Sequence, residues 1–291
     1  MELKSAFERA DMKHLSLSIL LMAMIAGCGD NPAPSPEDQG TLIQSPSIAA
    51  PDPYDAKTSA PSGFKLPAGK LTNIALGNWA KTKRDSTGGD DFTKGFDDKA
   101  LAGRDFTITI PLSQGDDETA AVWRYDKEKQ ELLLELDMEY TADLKGQMAV
   151  FQSAKDVRSP KQMANAFGVT VDVSQTTQWA IGVGTTSGYA GIIPSDALAS
   201  SPDQKVYGYL TTTIKMPGDQ ARSAVAGMRL EIDGVVQKNR SGNTVECSER
   251  TTEPKIDQPS ETVIKTCLIQ AKFRRIAFVT KDGKALKEWR R

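Results

Sequence analysis

The segment D-F-T-I-T-I-P-L, Asp105 to Leu112, alternates apolar and polar residues with a period of two. Alternation of β-branched and aromatic side chains with polar ones is typical of a strand with one buried face. The same pattern recurs along much of the chain. Further predicted strands cover Ala120 to Tyr125, Glu131 to Met138, Gly168 to Val173, Gln178 to Val183, Val206 to Lys215, Met228 to Val236, Lys272 to Thr280 and Lys284 to Trp289.

Helical signals are few and short. Ser159-Pro160 offers an N-cap followed by proline, and Gly168 ends the predicted helix about two turns later. The segment from Pro217 to Gly227 has the same layout, which leaves open a degenerate repeat of strand, helical turn and strand. Long helices do not alternate with the predicted strands, which argues against a doubly wound sheet. The sequence therefore predicts a mainly β fold, either an antiparallel β-sandwich-like architecture or mixed antiparallel sheets with two short helices. The alternative is an α+β fold.

The N-terminal region contains an apolar run of about 12 residues, from Leu15 to Ala26. The run is too short to span a bilayer, which takes about 20 residues, but it fits a secretory signal peptide. The eleven residues before Met12 carry three acids against two bases, whereas M-K-H-L-S from Met12 is a compact basic start. We therefore expect translation to begin at Met12.

The apolar run closes with Ile25-Ala26-Gly27-Cys28. This motif resembles the lipobox of bacterial lipoproteins, in which small residues precede the cysteine that accepts lipid. The resemblance covers residues 12–28. It implies a signal peptide over residues 1–27, lipidation of Cys28 and a membrane anchor. Because Gly29, not aspartate, follows Cys28, it also implies the periplasmic face of the outer membrane. The alternatives are an ordinary signal peptide with a chance cysteine, or a buried helix.

A spacer follows the cysteine. Seven of the chain's 15 prolines lie between Gly29 and Phe64, among serine, alanine and aspartate. Such a composition buries little apolar surface, so residues 28–64 are predicted to form a lipidated, disordered tether. A proline-rich edge of the domain is the alternative. Residues 65–291 are then the β-rich periplasmic domain, either one unit or two packed halves.

Three cysteines are present, and two remain after lipidation of Cys28. In an oxidising compartment Cys247 and Cys267 are expected to form a disulfide, with two free thiols as the alternative. The polar, proline-containing segment between them indicates a long excursion between strands.

The only histidine, His14, leaves with the signal peptide. The mature chain therefore has no Ser-His-Asp or Cys-His group and no histidine-ligated metal site. We assign no catalytic residue and no metal ligand. Ca²⁺ is left open as a cofactor because the glycine-rich loop from Asp85 to Asp91, followed by Asp97 and Asp98, concentrates carboxylates.

Two enzymatic patterns survive the loss of histidine. S-x-x-K at Ser62 to Lys65, followed by Ser241-Gly242-Asn243, resembles elements of penicillin-binding proteins, but Ser62 falls in the tether. A pair of carboxylates would suit a glycan hydrolase. Candidate acids on or beside strands, each of which also fits a solvated face, are Glu135, Asp137, Glu139, Asp172, Glu231 and Asp233.

The net charge of the 291-residue chain is −2, which gives no overall attraction to nucleic acid or to an anionic membrane. Residues 272–291, however, carry eight bases against two acids. They favour either an anionic glycan or lipid partner, or a solvated hairpin that offsets the acidic residues 246–261. The tryptophans Trp79, Trp123, Trp179 and Trp289 are spread along the chain, so most are expected in the core.

These observations predict a membrane-anchored envelope lipoprotein whose β-rich domain binds a protein or an envelope ligand without catalysis. The alternative is a carboxylate-dependent envelope glycan hydrolase.

Overall fold

A computed structural model describes residues 54–87, 98–115, 120–141, 146–164, 170–185, 198–200, 208–254 and 259–290. Within these ranges the chain forms twelve strands, two α-helices and a short 3₁₀ helix at Asp98–Leu101. The α-helices are α1 (Asn73–Thr87) and α2 (Gly218–Val225). The strands are β1 (Asp105–Pro111), β2 (Ser113–Gln114), β3 (Ala121–Asp126), β4 (Glu131–Thr141), β5 (Gly146–Ala164), β6 (Thr170–Thr185), β7 (Leu198–Ser200), β8 (Gly208–Lys215), β9 (Arg229–Val236), β10 (Val245–Thr252), β11 (Ser260–Val279) and β12 (Ala285–Arg290).

The strands are hydrogen-bonded in the order β1-β9-β11-β6-β5-β4-β3-β2, with β10 and β12 beside β11 and β8 between β4 and β7. Strand β11 changes partners along its length. Its first half pairs with β10 and β6, and its second half pairs with β9 and β12. Most pairs are antiparallel, but β11 and β6 run parallel. The prediction of a mainly β fold with mixed sheets and two short helices is confirmed.

The core lies between the sheet and helix α1, which contacts β1, β5, β10 and β11. Leu76 and Ala80 of α1 are fully buried, as are Phe106 and Phe278 on the strands. Burial of an apolar side chain of this size stabilises the fold by roughly 1.5–3 kcal/mol, so this layer helps to hold α1 against the sheet. Gly77 permits the close approach of α1 to β5, because a Cβ there would collide with the side chain of Gln152.

One of the two predicted helices is correct. Helix α2 lies within the predicted segment Pro217 to Gly227. The helix predicted after Ser159-Pro160 is wrong, because residues 146–164 form strand β5. The pairing of β5 with β6 shifts register between Arg158 and Lys161, so this proline falls in a bulge, where no ladder hydrogen bond is required of it.

Helix α1 was not predicted, since its sequence lacks a clear apolar stripe. Its buried positions include the polar residues Asn73 and Asn78. Asn73 reaches strand β1, where its side chain donates to the carbonyl oxygen of Thr109 and accepts from the amide of the same residue, at 2.7 and 2.8 Å. Polar residues satisfied by a distant strand break the periodicity on which a sequence-based prediction depends.

The predicted excursion between Cys247 and Cys267 is also wrong. Most of it belongs to β10 and to the first half of β11, which pair as antiparallel neighbours. The separately predicted strands at 168–173 and 178–183 are parts of a single strand, β6. Long strands that change partners bury different faces along their length, and this masks the simple alternation of a two-sided sheet.

Candidate ligand-binding groove

Four strands, in the order β10-β11-β6-β5, form one sheet region whose side chains alternate between two faces. We call the face that carries Trp179 the Trp179 face. The registers of the three strand pairs place its side chains in successive cross-strand rows. These rows are Cys247–Cys267–Ile181–Gln152, Glu249–Lys265–Trp179–Ala154, Thr251–Val263–Thr177–Asp156, and Glu261–Gln175–Arg158.

A groove runs along this face. It comprises two adjoining pockets of about 520 and 210 Å³ that share Trp179, Glu249 and Lys265. The larger pocket extends to the paired cysteines, and the smaller pocket extends to the row of Arg158, Gln175 and Glu261. Since the shared residues join the two pockets, a ligand can contact several rows at once.

The residues from Tyr54 to Ala60, which we call the entry segment, form one wall of the larger pocket through Lys57 and Ser59. Lys81 of α1 donates to the carbonyl oxygen of Asp55 at 2.6 Å and to the hydroxyl of Thr58 at 3.1 Å. Arg84 donates to the carbonyl oxygens of Ala56 and Thr58.

The entry segment and the residues up to Phe64 belong to the range assigned to the tether from sequence. The contacts of Lys81 and Arg84 hold the entry segment against α1, and Ala56 is fully buried there. The packed domain therefore extends N-terminally beyond Lys65, at least to Asp55.

Several charged side chains around the groove have polar or charged partners. Lys265 lies 3.1 Å from Glu249, and Lys57 lies 3.3 Å from Asp156. The ammonium of Lys57 is also 5.7 Å from the centre of the Trp179 ring. Gln175 donates to the carboxylate of Glu261 at 2.8 Å. The groove thus offers an aromatic surface surrounded by both donors and acceptors.

The paired cysteines close one end of the groove. The Sγ atoms of Cys247 and Cys267 are 2.07 Å apart, the distance of a disulfide bond. Both sulfurs lie 3.9 Å from the carbonyl oxygen of Ala80 in α1. The bond joins opposed residues of β10 and β11, beside the helix that holds the entry segment.

The other sequence-predicted residues lie elsewhere. Cys28 and His14 fall outside the described residues, as do most of the acids proposed for Ca²⁺. Of those acids, Asp85 accepts hydrogen bonds from Arg84 and from the amide of Ala60. Ser62 and Lys65 are exposed and lie outside any helix, so S-x-x-K has no core helix to act from.

Two of the candidate acids, Glu231 and Asp233, share one guanidinium. Arg275 lies 3.2 Å from Glu231, 3.0 Å from Asp233 and 2.8 Å from Glu288. Desolvation alone would raise the pKa of Asp233, but hydrogen bonds from Lys70, Thr107 and Arg275 outweigh it and lower the pKa. A lowered pKa does not suit Asp233 to the role of a general acid.

The same contacts account for several bases of the C-terminal stretch. Arg274 pairs with Asp105 at 2.8 Å, Arg290 pairs with Glu288, and the ammonium of Lys287 is 5.3 Å from the Trp289 ring centre. None of these three partners belongs to the acidic residues 246–261.

Glu135 and Asp137 are two residues apart on β4, so their side chains lie on the same face. The pKa of Asp137 is raised, chiefly by partial desolvation of its carboxyl and secondly by the negative charge of Glu135. Glu135 in turn lies 3.6 Å from Arg124. Asp172 is exposed on β6, and the side chain of Glu139 is outside the described part.

Of the four tryptophans, Trp289 is buried, and Trp79 and Trp123 pack partly buried against the core. Trp179 is half-buried and lines both pockets. The sequence offered one signal for the groove, the run of polar and β-branched residues from Ser174 to Trp179 in β6. The partner strand β11 and the entry segment could not be matched to it without the fold.

Among the described residues, no three histidine, cysteine, aspartate or glutamate side chains come together as a possible metal site. The two α-helices within the described ranges are too short or too polar to cross a membrane. Comparisons with protein-family models, with curated proteins and with solved structures find no match to this chain.

Proposed function

We propose that this chain is a membrane-anchored envelope lipoprotein whose β-rich domain binds an envelope ligand, without catalysis, in the groove on the Trp179 face. The observation that carries the proposal is the pair of adjoining pockets around a half-buried tryptophan. Concave sites that combine an aromatic surface with a few convergent polar groups are the usual form of ligand sites.

The groove favours binding over glycan hydrolysis. The two carboxylates that line the smaller pocket, Glu249 and Glu261, belong to rows that are four residues apart along β11. At about 3.3 Å per residue, their backbone positions are roughly 14 Å apart. Paired carboxylates of glycosidases are about 5–9.5 Å apart. The carboxylate of Glu249 is also paired with the ammonium of Lys265 at 3.1 Å.

The face of the sheet is a better candidate than its free edge. Within the described residues, β5 pairs beyond Gln152 with β6 alone, so in this part of the structure it is an edge strand. That edge carries Pro160 within a bulge, with Arg158 and Lys161 on either side. Bulges, proline and basic side chains are the features that block strand addition at an edge.

The proposal includes the lipid anchor and the localisation of the chain. Lipid on Cys28 would hold the chain at the bacterial membrane, on the periplasmic face of the outer membrane, and the residues between Cys28 and Tyr54 would connect it to the entry segment. The partner is then a component of the envelope, a protein, a glycan or a lipid headgroup, and not nucleic acid.

Site-specific photocrosslinking in the intact, anchored protein tests the proposal. The photoreactive amino acid p-benzoylphenylalanine replaces Thr177 on the Trp179 face or, as a matched control, Gln178 on the opposite face of the same strand. We expect a light-dependent adduct from position 177 that is absent at position 178. Loss of the adduct on Trp179→Ala would support the groove as its site. No adduct at position 177, or equal adducts at both, would contradict the proposal.

A further inference from the structure

We infer that the groove takes an uncharged oligosaccharide, laid along the Trp179 face. The inference rests on the proposed function and specifies its ligand class. It replaces the broader prediction of an anionic partner with one that follows from the arrangement of charges in the groove.

The first observation is the position of Trp179. The indole is half-buried, flanked across the ladder by Lys265 and by the small Ala154, and it lines both pockets. Ala154 leaves the ring accessible from the β5 side. An indole is large, rigid and apolar on its faces, so it can stack against the C–H face of a pyranose ring.

The second observation is the balance of charge. With Asp156, which pairs with Lys57, the groove has four basic side chains and four acidic ones. A polyanion would face the acids, and a polycation the bases, so either class would meet like charges along its length. The charges in this set are Lys57, Arg84, Arg158, Lys265, Asp85, Asp156, Glu249 and Glu261.

The third observation is that hydrogen-bond donors and acceptors lie side by side in the groove as bonded pairs. Lys265 with Glu249, and Gln175 with Glu261, each present N–H donors beside carboxylate oxygens. A sugar hydroxyl both donates and accepts, so it can bond to each member of such a pair without separating them. A charged ligand would have to break the pairs to neutralise its own charge.

The length of the groove favours a chain of sugars over one ring. From Cys267 to Glu261 strand β11 advances six residues, which is roughly 20 Å at about 3.3 Å per residue. The hydroxyls of Thr177 and Thr251 lie in the row between that of Glu249 and Lys265 and that of Glu261 and Gln175. Polar side chains therefore continue on both sides of the tryptophan.

Titration calorimetry of the lipidated protein in detergent micelles tests the inference. Chitotetraose and cellotetraose serve as uncharged probes, and tetragalacturonate serves as an anionic probe of the same ring number. We expect saturable binding of at least one uncharged probe, and about tenfold weaker binding of the anionic one. Trp179→Ala should weaken the uncharged probe by about tenfold, the upper range for an aromatic contact, while Gln178→Ala leaves it unchanged.

Because misfolding of Trp179→Ala would also weaken binding, two milder variants, Trp179→Phe and Gln175→Ala, test the same groove with a smaller change to the sheet. The first should retain part of the affinity and the second should reduce it. If the anionic probe binds more tightly, if neither uncharged probe binds, or if the Trp179 variants bind like the wild type, the ligand class is wrong. A crosslink at position 177 that persists in those cases would leave the proposed binding function standing, and its absence would overturn both.

Discussion

Lys81 is almost wholly buried within α1, and its ammonium donates to the carbonyl oxygen of Asp55, 2.6 Å away and 26 residues earlier in the chain. This contact joins the point where the chain enters the domain to the helix behind the groove. A buried cation needs such partners, since an unpaired charge in the interior is strongly unfavourable.

Replacement of Lys81 by methionine is expected to release the entry segment. The variant loses hydrogen bonds from a charged donor to Asp55 and Thr58, which contribute on the order of 1.5–3 kcal/mol. Urea unfolding should show a lower midpoint, and trypsin should cleave after Lys57 faster than in the wild type. Lys65→Met, at an exposed position nearby, is the control. An unchanged cleavage rate in Lys81→Met would show that this contact does not hold the entry segment.

Removal of the disulfide should destabilise the domain without changing its fold. Cys247 and Cys267 are 20 residues apart, and closure of a loop of that length stabilises by about 3 kcal/mol in the chain-entropy model. We expect a lower urea midpoint for the double variant Cys247→Ala, Cys267→Ala. Dithiothreitol should lower the wild-type midpoint to a similar extent and leave that of the variant unchanged. A variant as stable as the oxidised wild type would exclude a stabilising role.

The carboxylates around Arg275 should make stability depend on acid pH. Hydrogen bonds from Arg290 and then Arg275 lower the pKa of Glu288 from 4.5 to about 2. A carboxyl whose folded-state pKa is lowered stabilises the fold above its unfolded-state pKa, and this contribution is lost as the pH falls. The wild-type urea midpoint is therefore expected to drop between about pH 4.5 and pH 2.

Arg275→Gln tests this dependence, because it removes the guanidinium shared by Glu231, Asp233 and Glu288. The variant should be less stable at pH 7, and its stability should fall less steeply over the acid range. Arg274→Gln is a matched control, since the Arg274–Asp105 pair is mostly exposed and such pairs contribute little. Equal acid slopes in the wild type and Arg275→Gln would contradict the assignment.

Gly234→Ala should disturb the contact between β9 and its neighbours. A Cβ at this position would lie 2.6 Å from the carbonyl oxygen of Lys272 and equally close to the Phe106 ring. Overpacking of this kind costs about 1–3 kcal/mol. Thermal unfolding should detect the loss. Gly218→Ala is the control, because its Cβ would meet only Tyr125, at an ordinary 3.6 Å.

The anchor can be tested by metabolic labelling with palmitate. The lipobox resemblance predicts that the wild type is labelled and that Cys28→Ala is not. Cys247→Ala, which retains Cys28, should still be labelled and serves as the control. Equal labelling of the wild type and Cys28→Ala would overturn the lipoprotein assignment.

Strands with one buried face were predictable residue by residue. In β1, Phe106, Ile108 and Ile110 are buried, as their alternation indicates. Helix α2 was predictable from the proline before it and the glycine after it. Strand β5 was not predictable, because its proline is accommodated in a bulge. Helix α1 was not predictable either, because a distant strand satisfies its buried polar residue Asn73.

The groove also combines features that the sequence predicts with features that depend on the tertiary structure. The amino-acid order alone determined the strand pattern and carries the predictions of a lipobox at Cys28 and of a processed chain without histidine, because each depends on residue type and spacing along the chain. Only the tertiary structure decided that Trp179 lies beside Lys265 and near Lys57. Those residues come from three distant segments, and their proximity depends on the parallel register of β6 and β11 and on the contacts that hold the entry segment to α1.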